Sequence, residues 1–197
     1  MRRNLKTALH KLGAAFAALA VAVSLAPATA LATPTSATDV ADSTVTITDL
    51  LEGDTVSVYL IADADIDAAN NLTYTMASNL PADYDTIAEL DAIASDGTSF
   101  TQGSAMQNAA AATAKSLSDA NTAAVVTGTV APGATSTDLT LGSGYYLIRV
   151  TSTNGETRVY QNMVIDVSHT ANNGGTYDPH AAQSVAVKKT DVTITKT

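Results

Sequence analysis

From Thr44 to its end, this chain opens and closes on segments that alternate β-branched or apolar residues with polar ones at a period of two, and its middle does not. Thr44-Val45-Thr46-Ile47-Thr48 and Thr55-Val56-Ser57-Val58 show the pattern near the start, and Asp191-Val192-Thr193-Ile194-Thr195 shows it at the end. Successive strand side chains point to opposite faces, so such a segment can bury one face only by lying in a sheet. The middle is different: Gly103 to Ala124 is dominated by alanine, the residue with the highest intrinsic helix propensity. Strands at both ends, helices between them and no regular strand-helix alternation of the kind that builds parallel sheets predict a mainly β fold. The expected architecture is a β-sandwich with a helical insertion of two helices.

The first strand is expected at Thr44 to Thr48, followed by a turn at Leu51-Glu52-Gly53-Asp54. In Thr55 to Ala62, Val56, Val58 and Leu60 share one parity and Tyr59 and Ile61 the other, so both faces of this strand should be covered. Leu72 to Met76 should pair with it across an Asp/Asn-rich loop, Asp63 to Asn71. Ile87, Leu90 and Ile93 have helical spacing within Asp85 to Ala94, and Asp96-Gly97 supplies a stop. Within Gly103 to Ala124, Met106, Ala110, Ala114 and Leu117 form one stripe whose small residues favour close packing on a sheet. Strand patterns return at Val125 to Val130, Leu139 to Leu141 and Tyr145 to Thr151. Asn154-Gly155 is a tight-turn signal, and Thr157 to Val167 is expected to run back with Val159, Met163, Ile165 and Val167 on one parity. Ala171 to Ala182 reads as a loop, with a last strand after it.

The N-terminus sets the compartment. Arg2, Arg3, Lys6 and Lys11 precede the small apolar run Leu12 to Leu25, and Ala28-Thr29-Ala30 forms a cleavage site. Residues 1–30 are therefore expected to be a secretory signal peptide, since the apolar run is short of the roughly 20 residues that a spanning helix needs. Residues 31–42 read as a flexible leader, 43–184 as a β-rich domain and 185–197 as a junction followed by a further strand. Cleavage would leave six basic residues against nineteen acids. That balance argues against nucleic acid or anionic lipid as a partner. The chain contains no cysteine, so an exported product would depend on its core, a metal or a different covalent link.

Few residues suggest catalysis. Asp63, Asp65 and Asp67 occupy the first, third and fifth positions of a calcium loop, but Ala68 stands where glycine is required and Tyr74 where a bidentate glutamate is required. An acidic hairpin loop fits better. His10, His169 and His180 have no partners at zinc-ligand spacing, and neither a nucleophile elbow nor a phosphate-cradling glycine loop is present. No enzyme activity, metal or cofactor is expected.

Lysine is scarce beyond the signal, yet Lys188, Lys189 and Lys196 all fall in the last ten residues. Lys196 shares the parity of Val192 and Ile194 and so belongs to an apolar strand face. A buried amine is neutral and nucleophilic near neutral pH, and against an Asn carboxamide with a carboxylate nearby it forms an amide and expels ammonia. An exposed amine can instead accept an acyl group from a transpeptidase. An inward-pointing charge that protects a sheet edge is the structural alternative.

TVTITDLLEGDTVSVYLIADAD, LGSGYYLIRVTS with TRVYQNMVIDV, and KKTDVTITKT together resemble the N-terminal part of a Gram-positive, sortase-assembled fimbrial major subunit. The actinobacterial class, whose next module is an isopeptide-forming domain, is the more specific resemblance. It implies an exported, cell wall-attached structural subunit that sortase joins to other pilin subunits, supporting adhesion. It further implies an intramolecular isopeptide role for Lys196 and a sortase acceptor role for Lys188 or Lys189. The family's pilin motif places lysine directly after Tyr-Pro, whereas here Tyr177-Asp178-Pro179 is followed by His180. With no sorting signal in the sequence, the chain is expected to be a fragment of a longer subunit. A surface adhesin that binds host glycan or matrix protein through Asp63 to Asn71 is the alternative.

Overall fold

A computed structural model of the chain describes residues 42–95, 103–152, 158–171 and 176–191. The expected signal peptide, the leader up to residue 41, the Asn154-Gly155 turn and Lys196 lie outside these residues.

Twelve strands and two helices are described. The central sheet contains β2 (Thr55–Ile66), β3 (Leu72–Met76), β6 (Gly144–Thr151) and β8 (Met163–Asp166) in the order β3-β2-β6-β8, and β4 (Val126–Thr129) also pairs with β2. Facing it is a sheet of β1 (Ser43–Thr48), β5 (Ser136–Leu141) and β11 (Gln183–Ala186) in the order β11-β1-β5. Val45, Ile47, Leu139 and Leu141 from the second sheet meet Val56, Val58, Tyr146, Ile148 and Ile165 from the first, forming the sandwich core. The opposite face of the central sheet is covered by α1 (Ile87–Ser95) and α2 (Ala105–Asp119). There Ile61, Tyr145, Leu147 and Val164 pack with Leu90, Ala110, Ala114 and Leu117. The fold is thus a mainly β sandwich with a two-helix insertion, as the sequence pattern predicts, and it has three layers.

Consecutive residues of β6 alternate between the two cores: Tyr146 and Ile148 enter the sandwich, Tyr145 and Leu147 the helical side. In β2 a bulge interrupts the alternation, because Leu60 lies opposite Tyr146 and Ala62 opposite Tyr145, leaving Ile61 as the extra residue. An extra residue in one strand exchanges the faces of everything after it. Beyond the bulge, Ala62, Ala64 and Ile66 are buried while Asp63 and Asp65 are half-buried on the other face. β2 therefore extends to Ile66 and does not stop at Ala62, and the expected acidic loop shrinks to the short turn before β3.

The helices are bounded by their own side chains. Thr86 and Glu89 form a reciprocal cap at α1, with the Glu89 amide donating to Thr86 Oγ1 (3.3 Å) and the Thr86 amide donating to Glu89 Oε2 (3.0 Å). Ser104 Oγ accepts from the Gln107 amide (3.2 Å) at the start of α2. α2 ends before the expected Ala124, because Asn121 adopts a left-handed φ of 51° and the Thr122 amide donates to the Leu117 carbonyl (2.9 Å), a Schellman closure.

The expected strand Thr157 to Val167 is two strands. β7 (Arg158–Tyr160) and β8 are separated by Gln161-Asn162, and the Gln161 amide donates to the Lys188 carbonyl (2.9 Å). β7 pairs with β12 (Lys189–Asp191), and β8 alone pairs with β6. The break also reverses the parity: Val159 is 57% exposed and Tyr160 is buried, contrary to the pattern extrapolated from Met163, Ile165 and Val167. Within the expected loop Ala171 to Ala182, β9 (Thr170–Ala171) and β10 (Tyr177–Asp178) pair with each other. β11 runs parallel to β1 with Val185 opposite Ile47, and Val187 is buried in the sandwich core. The chain from 185 to 191 is thus hydrogen-bonded to the body, and the junction expected at 184/185 falls inside β11.

Leu117→Ala should destabilise the fold by about 2–5 kcal/mol, since the side chain is fully buried between helix and sheet. Urea unfolding followed by tyrosine fluorescence and by far-UV circular dichroism should give coincident transitions. Separate transitions would mean that the helical layer does not fold with the sandwich.

Candidate attachment site at the lysine-bearing end

β1 and β11 are parallel, so both finish at the same end of the sandwich. β1 leads into a turn in which Asp49 (φ 63°) and Gly53 (φ 81°) adopt left-handed backbone conformations. The Leu50 amide donates to the Thr135 carbonyl (3.0 Å), the Gly53 amide to the Val130 carbonyl (3.0 Å) and the Val130 amide to the Asp54 carbonyl (2.9 Å). This network places the Asp54 side chain in the interior, at 0% exposure. Its Oδ2 accepts from the Leu51 amide (2.8 Å) and from the hydroxyl of Tyr160, while Oδ1 is buried without a protein donor. A carboxylate taken out of water is costly, and these two charge-assisted bonds offset part of the cost.

Tyr160 belongs to β7 and lies directly opposite Lys189 of β12. The Tyr160–Asp54 bond therefore fixes the β7–β12 ribbon to the β1–β2 turn. Lys189 reaches the same turn from outside, where its Nζ donates to the Asp49 carbonyl (2.9 Å). Lys188 and Lys189 are both exposed. Lys188 and Lys189 thus sit on a braced segment that solvent can reach. Lys196, the third lysine candidate, lies outside the described residues, and so does the strand face to which its parity assigns it.

Asp54 and Tyr160 could not be read as site residues from sequence. Gly53-Asp54 has the composition of an exposed turn, and Tyr160 stands on the parity opposite to Met163 and Ile165. The only available signal was the Gln161-Asn162 pair, two polar residues within an otherwise apolar alternation.

The opposite end of the sandwich is acidic. Asp67 organises the β2–β3 turn, its Oδ1 accepting from the amides of Ala69 (2.9 Å) and Asn71 (2.8 Å) and from Asn71 Nδ2 (3.0 Å). That carboxylate is occupied in building the hairpin. No group of three His, Cys, Asp or Glu side chains among the described residues is placed to hold a metal ion. Burial raises the pKa of Asp63, with the neighbouring Asp65 adding to the effect. Burial lowers the pKa of His169, against the opposing pull of Asp65 and Asp42. His169 is half-buried, and its amide donates to Ser143 Oγ (2.9 Å). His180 is likewise only partly exposed, and its carbonyl accepts from Ser43 Oγ (2.8 Å).

No protein-family model matches the chain, and no curated protein matches it. Among solved structures, it is similar to the T6 backbone pilin of serotype M6 Streptococcus pyogenes, described as a modular three-domain structure decorated with variable loops and extensions. The TM-score is 0.52 at 15% identity, over 79% of this chain. The fold is pilin-like. The match spans 29% of the length of that pilin. In this pilin-like body Lys188 and Lys189 sit at the last described strand, beyond β11.

Tyr160→Phe removes one of the two donors to a buried carboxylate and should cost about 1–3 kcal/mol in urea unfolding, whereas Val159→Ala on the exposed face of the same strand should stay within about 0.5 kcal/mol. A second expectation concerns pH. The pKa of Asp63 is raised in the folded state above its ordinary value of 3.8, so the folded protein prefers the protonated acid. The stability this supplies is complete below 3.8 and is lost as the pH rises through the folded value. Asp63→Asn should therefore raise the melting temperature at pH 7 and leave it nearly unchanged at pH 3.

Proposed function

We propose that this chain supplies the N-terminal module of a structural subunit of a bacterial cell-surface fimbria. In this reading the subunit is exported, polymerised covalently by sortase, attached to the cell wall, and supports adhesion. Its partners are sortase and other pilin subunits, and it has no enzymatic turnover of its own. The observation that carries the reading is a pilin-like fold whose final described strand starts at the exposed Lys189, with the equally exposed Lys188 just before it.

Lys188 and Lys189 are the candidate acceptors. The amine of one attacks an acyl group carried by the transpeptidase, an amide forms, and the enzyme is released. A braced acceptor favours this step, because the segment bearing it need not be ordered when the two proteins meet. Both lysines are held this way: β12 is laddered to β7, and the Lys188 carbonyl and Lys189 ammonium are each hydrogen-bonded. Lys196 has a different proposed role. In a first strand of the following isopeptide-forming module it would join an Asn of that module and expel ammonia, a reaction that occurs once per molecule.

Incubation of the longer subunit with its sortase should give an SDS-resistant ladder, with cross-linked peptides mapping to Lys188 or Lys189. The ladder should vanish in the double variant Lys188→Ala/Lys189→Ala, and the single variants should identify the acceptor. A ladder that persists in the double variant overturns the acceptor assignment.

A further inference from the structure

We infer that β1 and β11 form a mechanical clamp that resists tension applied across the module. The inference rests on strand topology, burial and side-chain anchoring, and is independent of how the subunits are joined.

β1 and β11 are neighbours and run in the same direction, with Val45 opposite Gln183, Thr46 opposite Ser184, Ile47 opposite Val185 and Thr48 opposite Ala186. The chain enters β1 at one end of this pair and leaves β11 at the other. A pull between Asp42 and Lys188 therefore drives the two strands past each other along their length. Ladder bonds lie across the strands, so sliding loads all of them together, whereas peeling loads them one at a time. The Val187 amide continues the ladder one step further by donating to the Thr48 carbonyl (3.2 Å).

The second neighbour of β1 adds to the resistance. β1 pairs with β5 over six positions, from Ser43 opposite Leu141 to Thr48 opposite Ser136. Displacement of β1 along its axis shears this ladder as well. Half of the clamp is also shielded from water, which would otherwise compete for its bonds: Val45 and Ile47 are at 0% exposure, Gln183 at 6% and Ser184 at 8%, while Thr48, Val185 and Ala186 are half-buried. Side chains anchor both strands to the body. Ser43 Oγ donates to the His180 carbonyl (2.8 Å), Thr46 Oγ1 to Asp138 Oδ1 (2.7 Å) and Gln183 Nε2 to the Asp166 carbonyl (2.9 Å) in the central sheet.

The chain has no cysteine, so two introduced thiols are the only attachment points for single-molecule force spectroscopy on the full chain. Asp42→Cys/Lys188→Cys applies the load in shear. Leu51→Cys/Lys188→Cys applies it from one end of the same strand pair and peels it open. All three positions are exposed, and urea unfolding of the two variants serves as the control for equal stability. Forced unfolding reports the unfolding rate under load and not the equilibrium stability. The shear variant should unfold at several-fold higher force than the peeling variant, despite matching urea midpoints. Equal forces in the two geometries, or a weaker shear geometry, would overturn the clamp.

Discussion

The body of this protein depends on a sheet that is buried on both faces by different partners. β6 shows the demand most directly, since Tyr145 and Leu147 must fit the helices while Tyr146 and Ile148 must fit the second sheet. A two-sided strand has no face left to forgive a register slip. β2 meets the demand with an extra residue at Ile61, after which the side facing each core is exchanged. Gly144 is part of the same arrangement. It lies opposite Asp63 with a φ of 153°, and a Cβ there would stand 2.3 Å from the Ala62 carbonyl oxygen, so only glycine allows β6 to approach β2 at the bulge. The acids of β2 are carried by the bulge to the face they occupy, which is why Asp63 and Asp65 act electrostatically on Tyr146 and His169.

Much of this was legible in the sequence where one physical rule acted alone. Val45 and Ile47 alternate with polar residues, and both are fully buried. The stripe Met106, Ala110, Ala114 and Leu117 is the buried face of α2, because helical period and small side chains agreed. Legibility failed where a tertiary bond overrode a local pattern. Asp63-Ala64-Asp65-Ile66 has loop composition, yet its alternation holds and pairing with β3 keeps it in the sheet. Gln161 gives its amide to Lys188, a partner far along the chain, so no local rule could end β7 there. Asp54 is the sharpest case: a charged residue after glycine predicts exposure, and a phenol from a distant strand makes burial tolerable.

The candidate site was legible in composition and not in geometry. Lys188 and Lys189 stand out because lysine is scarce, but what braces them comes from Asp49, Tyr160 and Asp54, none of which is near them in sequence. The parallel pairing of β1 with β11 was equally invisible, since alternation reports which residues are buried and not which strands are neighbours. Together these contacts brace the lysine-bearing end of the sandwich.

A subunit linked as proposed must appear in covalent fibres on the cell that makes it. Antibodies raised against residues 42–191, applied to the producing cells by immunogold electron microscopy and to cell-wall extracts after boiling in SDS, test that directly. The account predicts label repeating along surface fibres and a high-mass ladder in the extracts. Label absent from fibres, with the protein recovered only as monomer in the culture medium, would contradict it.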